Sequence, residues 1–518
     1  MIPRHFSRSG TRMTTYRQPI KDAVRKRMLG GAVRLLSTDR SSASIVRLEE
    51  LRPSVEWFAE LVAETRPMDD FREEIERELA EWSRFHQTQI GDRTPDSLKV
   101  LYLCGPEPLN DLEVLREVGI NSHNVWAVTG SDEDHSKAVA EASRNRIPLK
   151  IHQGSLAEFF DQFNESFDII YVDACGPFCG GKSKTLDPIV NIFQRERLRS
   201  PGVLITNFCQ PPADGPARER FLDLISAYFA PRYRDLPRFA HRDGPDPVVS
   251  AYEPDRLRGF AAGRLDEFYS EFITRFIVDL AMNIIPTWRA LSMGALCRNY
   301  LPTQAQTRSA CDTVEFAFSP GSHPLVAFFR QLEQWQPNDH ILNLLAKPKS
   351  KQKRKMSELL EVSSVLSRVV GDRSPLLNYK MQEVVRTSWF DYDERGTCDI
   401  PLPNLTINSL LGIYGRPWFA NTRCCDRVTY QAKTQPMYCD LFALDQCRSF
   451  FDWFPVLEAV PSRFQSVPFQ IVARCILDRL GRDNFTTDTH PFHGASVKAS
   501  LWYDFSDRES LSVCEDEI

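Results

Sequence analysis

Residues 98–130 read LKVLYLCGPEPLNDLEVLREVGINSHNVWAVTG. An apolar run, Leu98 to Cys104, breaks at Gly105-Pro106. An amphipathic helical pattern follows over Leu109 to Val118 and stops at Gly119, and a second apolar run then spans Asn124 to Thr129. The same alternation continues downstream. Further runs occupy Leu149 to His152, Phe167 to Asp173 and Gly202 to Phe208, with helical segments over Asp132 to Asn145 and Leu156 to Phe163 between them. Short continuous apolar runs separated by helices are the signature of parallel strands buried on both faces. Right-handed crossovers then demand an α/β, doubly wound, mostly parallel sheet over residues 96–210, whose ligand crevice lies beyond the carboxyl ends of the strands.

The loop after the first run, Cys104-Gly105-Pro106-Glu107-Pro108, places one glycine where a dinucleotide site needs three. It also sets Glu107, Asp111 and Glu113 at a helix amino end, where a phosphate would otherwise sit. Carboxylates there repel phosphate and accept cations. The fourth run, Phe167-Asp168-Ile169-Ile170-Tyr171-Val172-Asp173, ends in a carboxylate at the mouth of the crevice, followed by Ala174-Cys175-Gly176-Pro177-Phe178.

On these residues the segment resembles the cofactor-binding domain of class I S-adenosylmethionine-dependent methyltransferases, with atypical motifs. The resemblance implies S-adenosyl-L-methionine as cofactor, lying over Cys104, Gly105, Glu107 and Asp111. That family carries an acid for the ribose hydroxyls at the end of strand two, where this chain has Thr129; either Asp132 or Glu133 substitutes, or Ser131 and Asp132 only cap the next helix. After strand three, Ser155 and Leu156 fall where an acid reaches the adenine amino group, and a helix cap is the stronger reading of Ser155. Asp173 with Pro177 and Phe178 bears some likeness to the amino-methyltransferase signature and forms the expected catalytic set, although Pro177-Phe178 comes two residues late. Its alternative is a carboxylate capping its own turn. A nucleophilic thiol at Cys175 or Cys179 lacks the Pro-Cys pair that such enzymes carry.

The rest of the 518 residues bounds these readings. That length implies more than one core. A net charge of -5 gives no global attraction to nucleic acid. Thirteen cysteines without a secretory signal suggest reduced thiols and a cytoplasmic location. Neither Cys175 with Cys179, nor Cys424, Cys425, Cys439 and Cys447 with His490 and His493, shows paired C-x-x-C knuckles, so no metal is expected. Residues 1–43, without an acid before Asp22, read as a basic disordered arm rather than a transit peptide, with Met1 and Met13 both eligible as starts. A helical extension follows over 44–95, with Phe71, Ile75, Leu79, Trp82 and Phe85 as its packing stripe. Residues 211–346 are expected to be mostly helical and to cover the sheet. Within them Phe272 to Ile285 is a buried helix, too charged to cross a membrane and closed by Pro286.

The run Lys347 to Lys355 (KPKSKQKRK) marks a linker, and 356–518 an α+β domain rich in cysteine and aromatic residues. The basic run and that domain are the candidate contacts for nucleic acid. Around Tyr414, Trp418, Phe419 and Tyr430, with Arg423, Arg427 and Lys433, buried core outweighs a base-stacking platform. Two functions remain from the sequence: a methyltransferase whose carboxy-terminal half selects the acceptor, and a non-catalytic binding or scaffold protein that keeps the fold. Thr129 and Ser155 favour the second.

Overall fold

Strands β1 (Val100–Leu103), β2 (Val125–Thr129), β3 (Lys150–Gln153), β4 (Phe167–Asp173) and β5 (Leu198–Cys209) are parallel and lie in the order β3-β2-β1-β4-β5. They belong to a computed structural model that describes residues 18–63, 71–174, 176–180, 184–231, 244–246, 253–292, 325–335, 379–386, 411–432, 435–455, 459–481 and 503–512. Chain order reverses between β1 and β4, the switch point beyond whose carboxyl ends open α/β sheets bind their ligands.

Side chains alternate across the sheet, and each face builds its own core. Val100 and Tyr102 of β1, with Ile169 and Tyr171 of β4, face helices α1 (Pro19–Leu36) and α5 (Leu109–Glu117). Leu101, Ile170 and Val172 face the opposite layer. That layer contains α3 (Leu48–Ala63), α4 (Phe71–Ile90), α7 (Leu156–Gln162), α8 (Leu186–Gln194), α9 (Gly215–Phe229) and the helices Leu265–Asp279 and Val467–Gly481. The short helix α2 (Arg40–Ala43) joins α1 to α3, and α6 (Asp132–Arg144) connects β2 to β3.

Three expectations need correction. Residues 19–43, read as part of a disordered arm, form α1 and α2. Val24, Met28, Leu29, Ala32, Val33 and Leu36 make a continuous buried stripe on α1, while its basic residues point away or pair: Arg27 donates to Asp426 and Glu509 at 2.7 and 2.6 Å. An amphipathic helix with a cationic outer face has the composition of a solvated tail.

Second, the described strands of the carboxy-terminal region join the same sheet rather than forming one of their own. β8 (Gln435–Asp445) pairs antiparallel with β5 from Gly202↔Leu444 to Cys209↔Met437, β7 (Asp426–Ala432) pairs antiparallel with β8, and β9 (Glu509–Leu511) runs parallel to β7. The two-residue β6 (Phe419–Ala420) also pairs with β8, giving a sheet of nine strands. Buried from Pro201 to Cys209, β5 requires a partner for its outer row of amide groups, and β8 supplies it. The linker proposed at Lys347 to Lys355 lies outside the described residues, and with it the basic run's contact with nucleic acid. Trp418, Phe419 and Tyr430 are buried, in keeping with the core reading.

Third, Pro286 does not end the helix that begins at Leu265. A π-helical turn over Leu280–Ile284 absorbs the missing donor, and the helix resumes over Ile285–Ser292 with proline in its first turn. Among the described residues no helix is long and apolar enough to cross a membrane.

Candidate functional site

The carboxyl ends of β1, β2 and β3 are stitched together by their loops. Tyr102 Oη donates to the Pro108 carbonyl at 2.7 Å and pins the turn that contains Gly105 and Glu107. The Cys104 amide donates to Val128 O, and the Gly154 amide to Thr129 O, each at 2.9 Å. Glu107 accepts from Asn110 Nδ2 at 3.0 Å, and Asp132 Oδ1 accepts from Gln153 Nε2 at 2.5 Å. These bonds fix the backbone under the crevice before any ligand arrives.

At the end of β4, Asp173 accepts a 2.8 Å hydrogen bond from Asn207 Nδ2, its register partner on β5. The same amide donates to Tyr430 Oη of β7 at 2.8 Å, so the side chain that orients the carboxylate is itself tied to a strand beyond β8. Among the described residues Asp173 bonds across to β5 rather than to its own turn. Asn207 Oδ1 is buried and makes no hydrogen bond among the described residues.

The amino-terminal helix contributes the local counter-charge. Arg25 of α1 donates from Nε to Asp111 Oδ1 and from Nη1 to Asp22 Oδ1, both at 2.9 Å. Arg25 and Asp111 are each only 5% exposed. Burial pushes the Asp111 carboxyl up to about 6; Arg25 opposes the shift and the charge of Asp173 adds to it. Burial, reinforced by Asp111, likewise pushes the Cys104 thiol up to about 12, leaving it protonated and unreactive.

The other expected residues divide into three groups. Glu107 and Asp132 remain at the strand ends, with Asp132 exposed in the first turn of α6 and Ser131 as its N-cap. Thr129 is buried at the end of β2. Ser155 is a helix cap: its hydroxyl accepts from the Glu158 amide at 3.2 Å and donates to Glu158 Oε2 at 2.9 Å, while Leu156 is part of the core. Phe178 is turned into the core. The Phe178 ring packs against Phe208, Phe272 and Phe276 with centroids 4.9, 6.1 and 5.7 Å away, and its amide donates to Tyr269 Oη at 2.7 Å. A fully buried ring has no face left for stacking on an acceptor.

Cys179 is buried and Cys175 lies outside the described residues, as do His490 and His493. Among the described residues no three His, Cys, Asp or Glu side chains are arranged to hold a metal ion. Arg25, Asn207 and Gln153 were not expected at the site, and Tyr430 was expected only as core or as a stacking residue. Asn207 had a signal, as a polar residue inside the apolar run Gly202 to Phe208; Arg25 and Tyr430 had none, because their partners are 86 and 223 residues away.

No protein-family model matches the chain, and no curated protein resembles it in sequence. Three similar solved structures are methyltransferases. CcbJ from Streptomyces caelestis is 19% identical over 22% of this chain and 44% of its own, with a TM-score of 0.18. An S-adenosylmethionine-dependent methyltransferase from Clostridium acetobutylicum is 18% identical over 30% and 57%, with a TM-score of 0.18. The SAH-bound methyltransferase PaMTH1 from Podospora anserina is 16% identical over 42% and 79%, also at 0.18. The chain spans about half the length of the first two. These likenesses are local, and the functional reading rests on the chain's own residues.

Proposed function

We propose that the crevice above β1, β2 and β4 binds S-adenosylmethionine and that the chain is a methyltransferase. The observation that carries this reading is an acid-lined switch point without a glycine-rich phosphate cradle, in which Asp173 is held in place by Asn207. A sheet that binds dinucleotides in the order 3-2-1-4-5-6 runs parallel through its sixth place, whereas here the antiparallel β8 occupies it.

The residues suit a cation without phosphates. Glu107 is the carboxylate for an ammonium group, and the Asp132–Gln153 pair stands in for the missing ribose acid, since Thr129 cannot supply a charge. When bound, S-adenosylmethionine supplies an electrophilic methyl group on sulfonium. Asp173 would orient the acceptor and take up its proton, and Asn207 would keep the carboxylate aimed while the acceptor's lone pair aligns.

One observation favours the non-catalytic alternative: Asp111, a carboxylate expected beneath the cofactor, is already paired with Arg25. Titration calorimetry with S-adenosylmethionine and its demethylated product separates the readings. Binding of both, followed by methyl transfer to a nucleic-acid, protein or small-molecule pool, supports the enzyme. Binding without transfer supports the scaffold, and no binding sinks the cofactor assignment.

A further inference from the structure

A second cavity, of about 310 Å³, opens at the amino-terminal edge of the sheet, where α2, α4, the start of β5 and the loop around Arg416 meet. The crevice lies at the other end of β4, about 20 Å away at the rise of an extended strand. Arg40, Arg93, Arg199 and Arg416 line the cavity, together with Ser200 and the carboxylate of Glu196.

Two of these guanidinium groups are neutralised. Arg199 pairs with Asp168 at 3.1 Å, and Arg416 with Glu196 at 3.4 Å. Arg40 is not: it is 6% exposed, and among the described residues no carboxylate lies within ion-pair reach. Its Nε donates to Ile90 O at 2.8 Å and its Nη1 to Leu36 O at 3.3 Å, which leaves Nη2 without a hydrogen bond among the described residues. Burial, with help from Arg93 and Arg199, pulls its pKa below the ordinary value, against the more distant Asp168 and Asp445. Arg93 is exposed at the rim and makes no ion pair among the described residues.

A buried cation without a counter-ion is costly, and an incoming anion relieves that cost. Guanidinium forks match the oxygen spacing of phosphate and carboxylate. The two unneutralised charges, Arg40 and Arg93, balance a dianion better than a monoanion. The volume lies at the lower end of small-molecule sites, enough for a phosphate and a sugar-sized body.

We propose that this cavity binds the phosphate of a small phosphate monoester through Arg40 and Arg93, with Arg199 and Arg416 at its sides. The test is titration calorimetry of the full chain with inorganic phosphate and ribose 5-phosphate. The variants are Arg93→Gln, Arg416→Gln and the double substitution, all at exposed or half-exposed positions that leave the wall's backbone contacts in place. Each single change should weaken ribose 5-phosphate binding by about tenfold and the double change by more, as expected for loss of charge-assisted hydrogen bonds. Gly105→Arg, at the opposite end of the sheet, should leave the affinity unchanged. The proposal is overturned if neither probe binds the natural chain, if the double variant binds as tightly as the parent, or if Gly105→Arg abolishes binding.

Discussion

Arg25→Met tests the charge balance of the crevice most directly. Methionine keeps an unbranched stem against the α1 core and removes the guanidinium from Asp22 and Asp111. In the natural chain the folded pKa of Asp111, about 6, stands above its ordinary value of 3.8. The folded state therefore holds this proton more tightly than the unfolded state. The group's contribution is fully present below about pH 4 and is lost as the pH climbs through 6, at a cost of roughly 3 kcal/mol. Without Arg25 the carboxylate is left buried beside Asp173, its pKa moves further up, and the loss continues to higher pH. Removing one partner of a buried ion pair costs about 3–5 kcal/mol when the other stays charged. Near pH 5 Asp111 is mostly protonated in both proteins, and only about 1 kcal/mol of hydrogen bonding is lost. A chain of this length melts with an entropy that converts 1 kcal/mol into roughly 1 °C. The melting-temperature gap between variant and parent should thus widen from about 1 °C at pH 5 to about 3–5 °C at pH 8. Scanning calorimetry across that range reads it directly. A gap of the same size at both ends, or none, would refute the buried pair as the origin of the charge balance. Calorimetric binding by the same variant carries the functional half: freeing Asp111 should tighten S-adenosylmethionine binding several-fold.

Gly105→Arg should abolish S-adenosylmethionine binding while the far-ultraviolet circular dichroism stays native; undiminished binding would place the cofactor elsewhere. Asp173→Ala should keep cofactor affinity within a few-fold and lower turnover by about two orders of magnitude, the loss typical of a general base; a parallel loss of affinity would make it a binding residue. Glu271, between Arg275 at 2.7 Å and Arg427 at 2.9 Å, is held at about 2 against the penalty of burial, so its stabilisation is present above pH 4.5 and lost as the pH falls through 2. Glu271→Gln should cost about 3–5 kcal/mol at pH 7, measured by denaturant unfolding, with the gap closing toward pH 2; a pH-independent cost would assign the effect to packing.

The parallel half of the sheet was legible because its strands are buried on both faces. Phe167 to Val172 is apolar apart from Asp168, and Asp168 proves to be bonded to the Lys99 amide at 2.8 Å. Helix α1 was not legible from composition, because Lys21, Arg25, Lys26, Arg27 and Arg34 are what a solvated arm also contains. Only the spacing of Val24, Met28, Ala32 and Leu36 distinguishes the two. The carboxy-terminal hairpin failed for a different reason. Met437 to Asp445 reads as a strand by itself, but nothing local says that its partner is β5, more than 200 residues earlier.

The site was harder to read than the fold because its side chains act through partners that sequence proximity does not reveal. Ser155 and Asp132 occupy helix entrances, where capping and ligand contact demand the same polar atoms, and only geometry shows that both functions of the Ser155 hydroxyl are spent on Glu158. Asp173 gains its orientation from Asn207, and Asn207 is in turn bonded to Tyr430, so the best catalytic candidate depends on the hairpin that the sequence had assigned to another domain. The same strand that presents Asn207 at the crevice carries Arg199 and Ser200 into the basic cavity at its other end. β5 therefore joins the two proposed ligand sites through one hydrogen-bonded ladder, and its pairing with β8 fixes the register of both ends. A substitution that slips this register by one residue would turn Asn207 away from Asp173 and Arg199 away from Asp168 together, because alternate residues of a strand face opposite sides.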